Sequence, residues 1–322
     1  MKKSKPIRIF ITGGTGFLGS NLINHLIKSD NIYKITALTR DKTKINKFHK
    51  LNNEKIKWIE EDILNLRPKS TKYDYFIHMA CPSAEETFRG IDNLTKFSSI
   101  VEGTRNALEF AKKTKVKKFI FTSSGSVYGD YKNKYKFVPE SYIPNLDITN
   151  HNITHGFSKT VAEYLCLNYS NKNFFETCIL RCFSFVGRNI PLNLHYAIGN
   201  FILEAINSQK ITIKGPAQTF RSYLNVADFC EWMEVMLLKK QKCKIYNLGS
   251  ENYISMHNLA KKIRYVTNKN IIIKCENKKN SVGNLYRKYY MPDINLIKNE
   301  FNLIEKKSLE ESIEEILDYN KF

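Results

Sequence analysis

The sequence predicts an α/β fold: a doubly wound parallel sheet over residues 1–180 and a smaller appended C-terminal lobe over 181–322. Three observations carry that expectation. Short apolar runs alternate with helix-length apolar patterns through the first half, as in successive βαβ units of a parallel sheet. The first run, Arg8-Ile9-Phe10-Ile11-Thr12, leads straight into glycines spaced Gly13-x-x-Gly16-x-x-Gly19, and an apolar stretch at helical spacing (Leu22, Ile23, Leu26, Ile27) follows. Beyond about Arg181 the alternation loosens, with Pro191, a helical pattern at 197–206, a Gly215-Pro216 turn and an amphipathic stretch at 309–317. Within the lobe, a segment near 220–250 is expected to return one strand, Tyr246-Asn247-Leu248-Gly249, to the sheet.

The strand–glycine–helix unit comes first. Strand, bare turn and helix N-terminus together present backbone N–H groups and partial positive charge to a pyrophosphate, the arrangement of a Rossmann dinucleotide site. The glycines stand where a Cβ would obstruct the turn, the approach to phosphate and the packing of helix on strand. Gly13, Thr15, Gly16, Phe17, Leu18 and Gly19 are therefore the candidate cradle.

The second strand, Lys34 to Arg40, ends where a carboxylate normally holds the ribose 2′-hydroxyl of NAD and a cation accommodates the 2′-phosphate of NADP. Arg40 stands at the tip, Lys42 and Lys44 lie just beyond, and Asp41 comes one step late. NADP is the first expectation and NAD the second. A third strand, Ile56 to Ile59, runs into Glu60-Glu61-Asp62-Ile63, where Asp62 either bonds an adenine amino group or serves only the turn. Tyr75-Phe76-Ile77 ends in His78-Met79-Ala80-Cys81; Met79 and Ala80 sit where the backbone would approach the cofactor, and His78 is assigned no chemistry. A helix over Gly103–Lys113 feeds the strand Lys118–Phe121 and then Thr122-Ser123-Ser124-Gly125-Ser126-Val127-Tyr128-Gly129. A helix over Ser158–Tyr169 and the strand Thr177–Leu180 follow. Ligands of such sheets sit at the carboxyl ends of the strands, where each of these stretches falls.

Composition excludes several classes. The 322 residues are 42% hydrophobic and 25% charged, as in ordinary soluble globular proteins. A net charge of +20 would permit nucleic-acid or membrane binding. The lysines are nevertheless scattered among Asn and Ile residues and form no basic face, so neither partner is expected. No segment approaches the ~20 apolar residues that span a bilayer. The run after Met1-Lys2-Lys3 is short, carries Arg8 and enters the glycine loop, not a cleavage site. Seven cysteines, an odd number without paired metal spacing, read as reduced thiols in a cytoplasmic protein without a metal.

Several motifs in one order carry a resemblance. Thr12-Gly13-Gly14-Thr15-Gly16-Phe17-Leu18-Gly19, His78-Met79-Ala80, Gly103-Thr104-Arg105-Asn106 and Ser123 to Gly129 resemble those of the extended short-chain dehydrogenases, the nucleotide-sugar epimerase/dehydratase group. So do Arg221-Ser222-Tyr223-Leu224-Asn225-Val226-Ala227-Asp228, Tyr246 to Ser250 and Pro292-Asp293. The resemblance implies an NAD(P)-binding domain, a lobe closing over a nucleoside-diphosphate sugar and a helix-mediated homodimer. It also implies hydride transfer coupled to proton transfer at a sugar carbon, usually C4. Ser124 would then hydrogen-bond the sugar oxygen and Ser126 would contact substrate. Lys159, in Ser158-Lys159-Thr160-Val161-Ala162-Glu163, would hold the nicotinamide ribose, with Thr122 beside the cofactor. NADPH-dependent reduction of a 4-keto sugar is expected first, and C4 epimerisation second.

The sequence departs from the pattern at a telling place. The family's Tyr four residues before the Lys is His155 here. Three readings stay open: His155 is the acid/base, since imidazole titrates near neutrality; Tyr128 or His151 supplies the proton; or catalysis is lost and binding remains. Ile100 and Ser184 replace two Asn residues of the pattern, Ser184 at a substrate-phosphate position. Ser281-Val282-Gly283-Asn284 replaces Arg-Pro-Gly-Asp, leaving Arg221 as the phosphate clamp, with Arg287 and Lys288 as helpers. Dehydratases of the group carry an Asp-Glu pair, and decarboxylating members a Glu, where this chain has Gly125-Ser126. Neither of those reactions is expected.

Overall fold

The computed structural model describes residues 5–31, 33–47, 54–68, 71–131, 134–144, 146–194, 196–241, 244–276 and 288–320. Strands β1 (Ile7–Thr12), β2 (Tyr33–Thr39), β3 (Ile56–Glu60), β4 (Tyr75–His78), β5 (Lys118–Ser124) and β6 (Glu176–Cys182) build the sheet, with helices α1 (Phe17–Leu26), α2 (Ala84–Phe88), α3 (Asn93–Lys113) and α4 (Thr154–Asn171) between them. β7 (Phe185–Val186), α5 (Ala197–Asn207), β8 (Lys210–Ile213), β9 (Phe220–Ser222), β10 (Leu224–Asn225) and α6 (Val226–Leu238) follow. Then come β11 (Ile245–Leu248), β12 (Tyr253–Ser255), α7 (Met256–Thr267), β13 (Ile272–Cys275), β14 (Tyr289–Tyr290), α8 (Asn295–Phe301) and α9 (Leu309–Asn320).

The main sheet has seven strands in the order β11-β6-β5-β4-β1-β2-β3. Every pairing in it is parallel. The strand order reverses between β1 and β4, and a crevice opens there at the carboxyl ends. Both faces are covered, so the central strands read as continuous apolar runs: Ile9, Phe10 and Ile11 are all fully buried. One face packs on α1 and α6 through Leu22, Ile23, Phe229, Trp232 and Met233. The other packs on α3 and α4 through Leu108, Phe110, Ala111, Ala162 and Cys166. A separate cluster (Ile202, Ile211, Leu259, Ile263, Ile313, Ile316) joins α5, α7 and α9 over the paired β8 and β13.

The chain returns to the sheet after residue 224. β11 pairs with β6, and α6 lies beside α1, tied to it by one carboxylate. Glu234 accepts from Ser29 Oγ (2.5 Å) and Tyr33 Oη (2.8 Å) and meets His25 Nε2 at 2.7 Å.

The helix expected from Gly103 starts ten residues earlier, at Asn93, where Asp92 accepts from Thr95 N at 2.9 Å. None of its first seven residues is buried, and the apolar stripe that packs on the sheet begins only at Ile100 and Val101. The helix expected from Ser158 starts at Thr154, which puts His155 on the helix one turn before Lys159. Cys166, Cys178, Cys182 and Cys230 are buried free thiols, and Cys81 and Cys275 are exposed ones; Cys243 lies outside the described residues.

Phe10 sits at the centre of an aromatic cluster, with ring centroids 4.5 Å from Phe110, 5.0 Å from Phe76 and 5.2 Å from Tyr73. Phe10→Ala is expected to cost about 3–5 kcal/mol in urea unfolding. A loss under about 1 kcal/mol would show that the cluster does not hold the sheet to α3.

Candidate active site

The glycine loop brings two backbones together. Gly13 has φ +74°, and a Cβ built there would lie 2.7 Å from the Met79 carbonyl carbon and oxygen and 2.9 Å from Ala80 N. Only a residue without a side chain fits between β1 and the end of β4 at that point. Gly16 then starts α1, and its N–H bonds the Gly13 carbonyl at 3.1 Å.

Behind the loop runs a directed chain of hydrogen bonds. Met79 N and Ala80 N both lie 3.2 Å from Thr12 Oγ1, which lies 2.7 Å from His78 Nδ1. His78 Nε2 is 3.2 Å from Thr104 Oγ1, which donates to the Ile100 carbonyl at 2.7 Å. Because Thr104 spends its proton on Ile100, it accepts from Nε2–H; Nδ1 then accepts from Thr12, whose oxygen takes the backbone N–H groups. One neutral tautomer satisfies every member. Burial, and after it the charge of Lys159, pushes His78 down to about 3, so it stays neutral and structural.

The other wall comes from β5, α4 and β6. Lys159 is buried, and its ammonium donates to the Thr122 carbonyl at 2.7 Å and lies 4.6 Å from the Phe121 ring centroid. Thr122 Oγ1 donates to the His78 carbonyl at 3.2 Å. Deeper still, Glu163 takes Arg181 through Nε (3.1 Å) and Nη2 (2.8 Å) and accepts from Ser123 Oγ at 2.5 Å. Burial alone would lower Arg181, but the Glu163 carboxylate outweighs it and the guanidinium stays charged.

These elements line one open cleft of about 1410 Å3. That exceeds the ~300–1,000 Å3 of a pocket for one small ligand and leaves room for two. Gly13, Thr15, Gly16, Phe17, Leu18, Gly19, Arg40, Asp62, Ile63, Met79, Ala80 and Thr122 line it together with Ser124, His155, Lys159, Ser184 and Arg221. Asp62 accepts from Leu64 N at 2.8 Å, capping the short turn Ile63–Asn65. Arg221 donates to the Phe220 carbonyl at 2.7 Å and stands 5.6 Å from the Tyr290 ring centroid.

Four of the candidate residues do not stand in the cleft lining. Ser126 does not line the cleft; the chain turns at Gly125–Tyr128, and its hydroxyl donates to Ser124 Oγ at 2.9 Å. Its link to the cleft runs through Ser124. Tyr128 is fully buried, donates to Asn247 Oδ1 at 2.7 Å and is pushed up to about 12 by burial. That removes it as a proton source. His151 is exposed and outside the cleft lining, and so is Lys288. Residues 281–284 and Arg287 lie outside the described residues.

The sequence did not reveal what Arg40 does. Both its terminal nitrogens hold Glu86 of α2, at 2.8 and 2.7 Å, and Lys42 faces Glu60 at 3.6 Å. The motif Ser83-x-x-Glu86 is legible as a capping box, but nothing local shows a partner 46 positions away. Gly156 was also missed: a Cβ there would lie 2.3 Å from the Ser126 carbonyl, so the first turn of α4, and His155 with it, packs close against the β5 turn.

Comparison with known proteins settles the lineage. The model of the NAD dependent epimerase/dehydratase family matches residues 9–249. The chain belongs to this family. Among curated members it is 28% identical over 311 residues to UDP-glucuronic acid decarboxylase 1 of Arabidopsis thaliana, spanning 96% of this chain and 68% of that one. It is 27% identical to decarboxylase 4 of the same plant, spanning 81% of this chain and 58% of the relative. Solved structures of similar fold include the UDP-glucuronic acid 4-epimerase of Bacillus cereus with UDP-glucuronic acid and NAD (23% identity, 98% and 99% of the two chains, TM-score 0.82). The UDP-glucose 4-epimerase of Thermotoga maritima is another (21%, 98% and 99%, 0.82). Among the described residues, no group of three or more His, Cys, Asp or Glu could hold a metal, and no helix is long and apolar enough to cross a membrane.

His78 carries a pH signature. Below about pH 6.5 the unfolded chain takes up a proton there that the folded chain refuses until about pH 3, so this group's stability contribution falls as pH drops through that window. Between pH 7 and 5 the loss amounts to about 2 kcal/mol. Urea unfolding at the two pH values is expected to show a smaller pH dependence, by about that amount, in His78→Gln than in the wild type. Equal pH dependence would contradict the neutral-histidine assignment.

Proposed function

We propose that the chain is an NAD-dependent oxidoreductase of nucleoside-diphosphate sugars that oxidises and re-reduces a hexose carbinol carbon, C4 first, and so interconverts epimers. The observation that carries this reading is the convergence of the bare-backbone cradle, Ser124, His155, Lys159 and Arg221 on one cleft. The cradle fits a pyridine dinucleotide, because a Cβ at Gly13 would collide with the backbone beside which the ligand must lie.

A bound nicotinamide would supply the hydride acceptor and donor. The remaining work belongs to the chain. His155 takes the proton of the reacting hydroxyl as its carbon is oxidised and returns it on reduction from the opposite face. Ser124 Oγ hydrogen-bonds the same oxygen, and Ser126, donating to Ser124, orients it. Lys159, anchored on Thr122, brings a fixed positive charge to the ribose end of the nicotinamide. Arg221 clamps the diphosphate with charge-assisted bonds.

Two observations favour epimerisation over other reactions of the family. Where dehydratases carry an acidic residue this chain has Gly125, and the space a side chain would need is filled: a Cβ would lie 2.8 Å from the Phe183 ring and 2.9 Å from Tyr290 Oη. Ser126 occupies the position at which decarboxylating members carry a Glu. The expectation of an NADPH-linked reductase, in turn, rested on Arg40 as a cation available to phosphate, and Glu86 engages it. A coenzyme recycled in place suits NAD.

The test uses UDP-hexoses and UDP-hexuronic acids deuterated at C4, with catalytic NAD+. The C4 epimer is expected to form with its label retained and no net coenzyme consumed. His155→Phe is expected to lower kcat about 10²–10⁴-fold, and His155→Tyr to recover part of it. Release of CO2, exchange at C5, one-for-one coenzyme consumption, or an unaffected His155→Phe variant would each overturn the reading.

A further inference from the structure

The carboxyl end of the second strand of a dinucleotide fold normally selects the coenzyme, yet here the first residue past β2 is an arginine, Arg40, in a protein whose cleft otherwise suits NAD. The adenosine end of the cleft explains how both can hold. Arg40 lines it, and its two terminal nitrogens are taken by Glu86 Oε1 and Oε2 in a bidentate pair. Glu86 is fixed in turn: Ser83 N–H donates to Oε2 at 2.7 Å, and Glu86 N–H donates to Ser83 Oγ at 3.1 Å, the reciprocal capping box of α2. The carboxylate is thus held by the helix it starts and points across to the strand tip. Asp41, Glu61, Asp62 and Glu85 line the cleft as well, as do Arg40 and Lys44. Lys42 faces Glu60.

We infer that Glu86 is the residue that determines coenzyme specificity, acting in place of a strand-end carboxylate: it occupies the guanidinium that a 2′-phosphate would need and leaves a surface that accepts only the uncharged 2′-hydroxyl of NAD. A 2′-phosphate brought to this end must displace a pre-formed bidentate carboxylate, whose geometry matches the guanidinium fork as well as phosphate does. The cleft lining that it enters also carries the carboxylates of Asp41, Glu61, Asp62 and Glu85. A 2′-hydroxyl pays neither cost. Removing the charge of Glu86 releases Arg40 to bind phosphate and takes away one repulsive neighbour, so the preference moves toward NADP.

This rests on the coenzyme reading of the cradle, and the test separates the two. Glu86→Gln is the variant of choice, because a glutamine keeps an oxygen for Ser83 N–H and still serves a capping box. NAD+ and NADP+ are titrated by calorimetry against the wild type, Glu86→Gln, and the double variant Arg40→Gln/Glu86→Gln. The wild type is expected to bind NAD+ about tenfold or more tighter than NADP+. In Glu86→Gln the NADP+ affinity is expected to rise about tenfold while NAD+ changes by less than about threefold. The double variant is expected to lose the gain. A wild type that prefers NADP+, an unchanged ratio in Glu86→Gln, or a gain that survives loss of Arg40 would overturn the inference. A wild type that binds neither coenzyme overturns the cradle reading itself, and this inference with it.

Discussion

Contact between two stretches of bare backbone, Gly13 against Met79 and Ala80, is the constraint on which the rest of the molecule is arranged. It lies at the reversal of strand order between β1 and β4, where a parallel sheet opens a crevice. Backbone polar groups this close to a cleft need partners. Thr12, His78 and Thr104 supply them in a relay whose direction is fixed at one end by the Ile100 carbonyl. A buried imidazole is usually a liability at mild acid pH. Here it is what lets the Met79 and Ala80 amides be satisfied from behind, so that the front of the loop stays clear for a ligand.

The opposite wall depends on a charge pair instead. Lys159 and Glu163 stand one turn apart on α4. The first reaches the Thr122 carbonyl and the second grips Arg181 of β6. Such a buried pair adds little net stability against an apolar alternative, but losing one partner strands the other charge in the interior. It therefore fixes the position of α4 relative to β5 and β6. His155 rides on the first turn of that helix, and close packing of Gly156 on the Ser126 carbonyl brings it to the cleft. Replacing a phenol by an imidazole at this place alters reach while keeping a group able to move a proton. Elsewhere in the cleft an arginine just past the tip of β2 is held in balance by a carboxylate from α2.

The sheet was legible because its signals are local: apolar runs of strand length, glycines at a fixed spacing, and helices that bury one face. The loop residues from Gly13 to Gly19 could be named as a cradle for the same reason. What could not be read was pairing at long range. Arg40 looks like a free cation in sequence, since nothing near it announces Glu86. Tyr128 looks available beside Ser124, since the fold alone sends its hydroxyl inward to Asn247. None of the first seven residues of α3 is buried, and the stripe that packs on the sheet begins only at Ile100 and Val101. Ser126 belongs to the right motif, yet it lies inside the tight turn Gly125–Tyr128, from which its hydroxyl donates to Ser124.

The account stands most directly on the bare contact at Gly13. Calorimetric titration of NAD+ against the wild type and Gly13→Ala measures it, with urea unfolding of both to confirm a folded variant. The account predicts saturable binding by the wild type and a loss of about tenfold or more in the variant, because an added Cβ would force β1 and the end of β4 apart. Equal affinities, or no heat with the wild type, would contradict it.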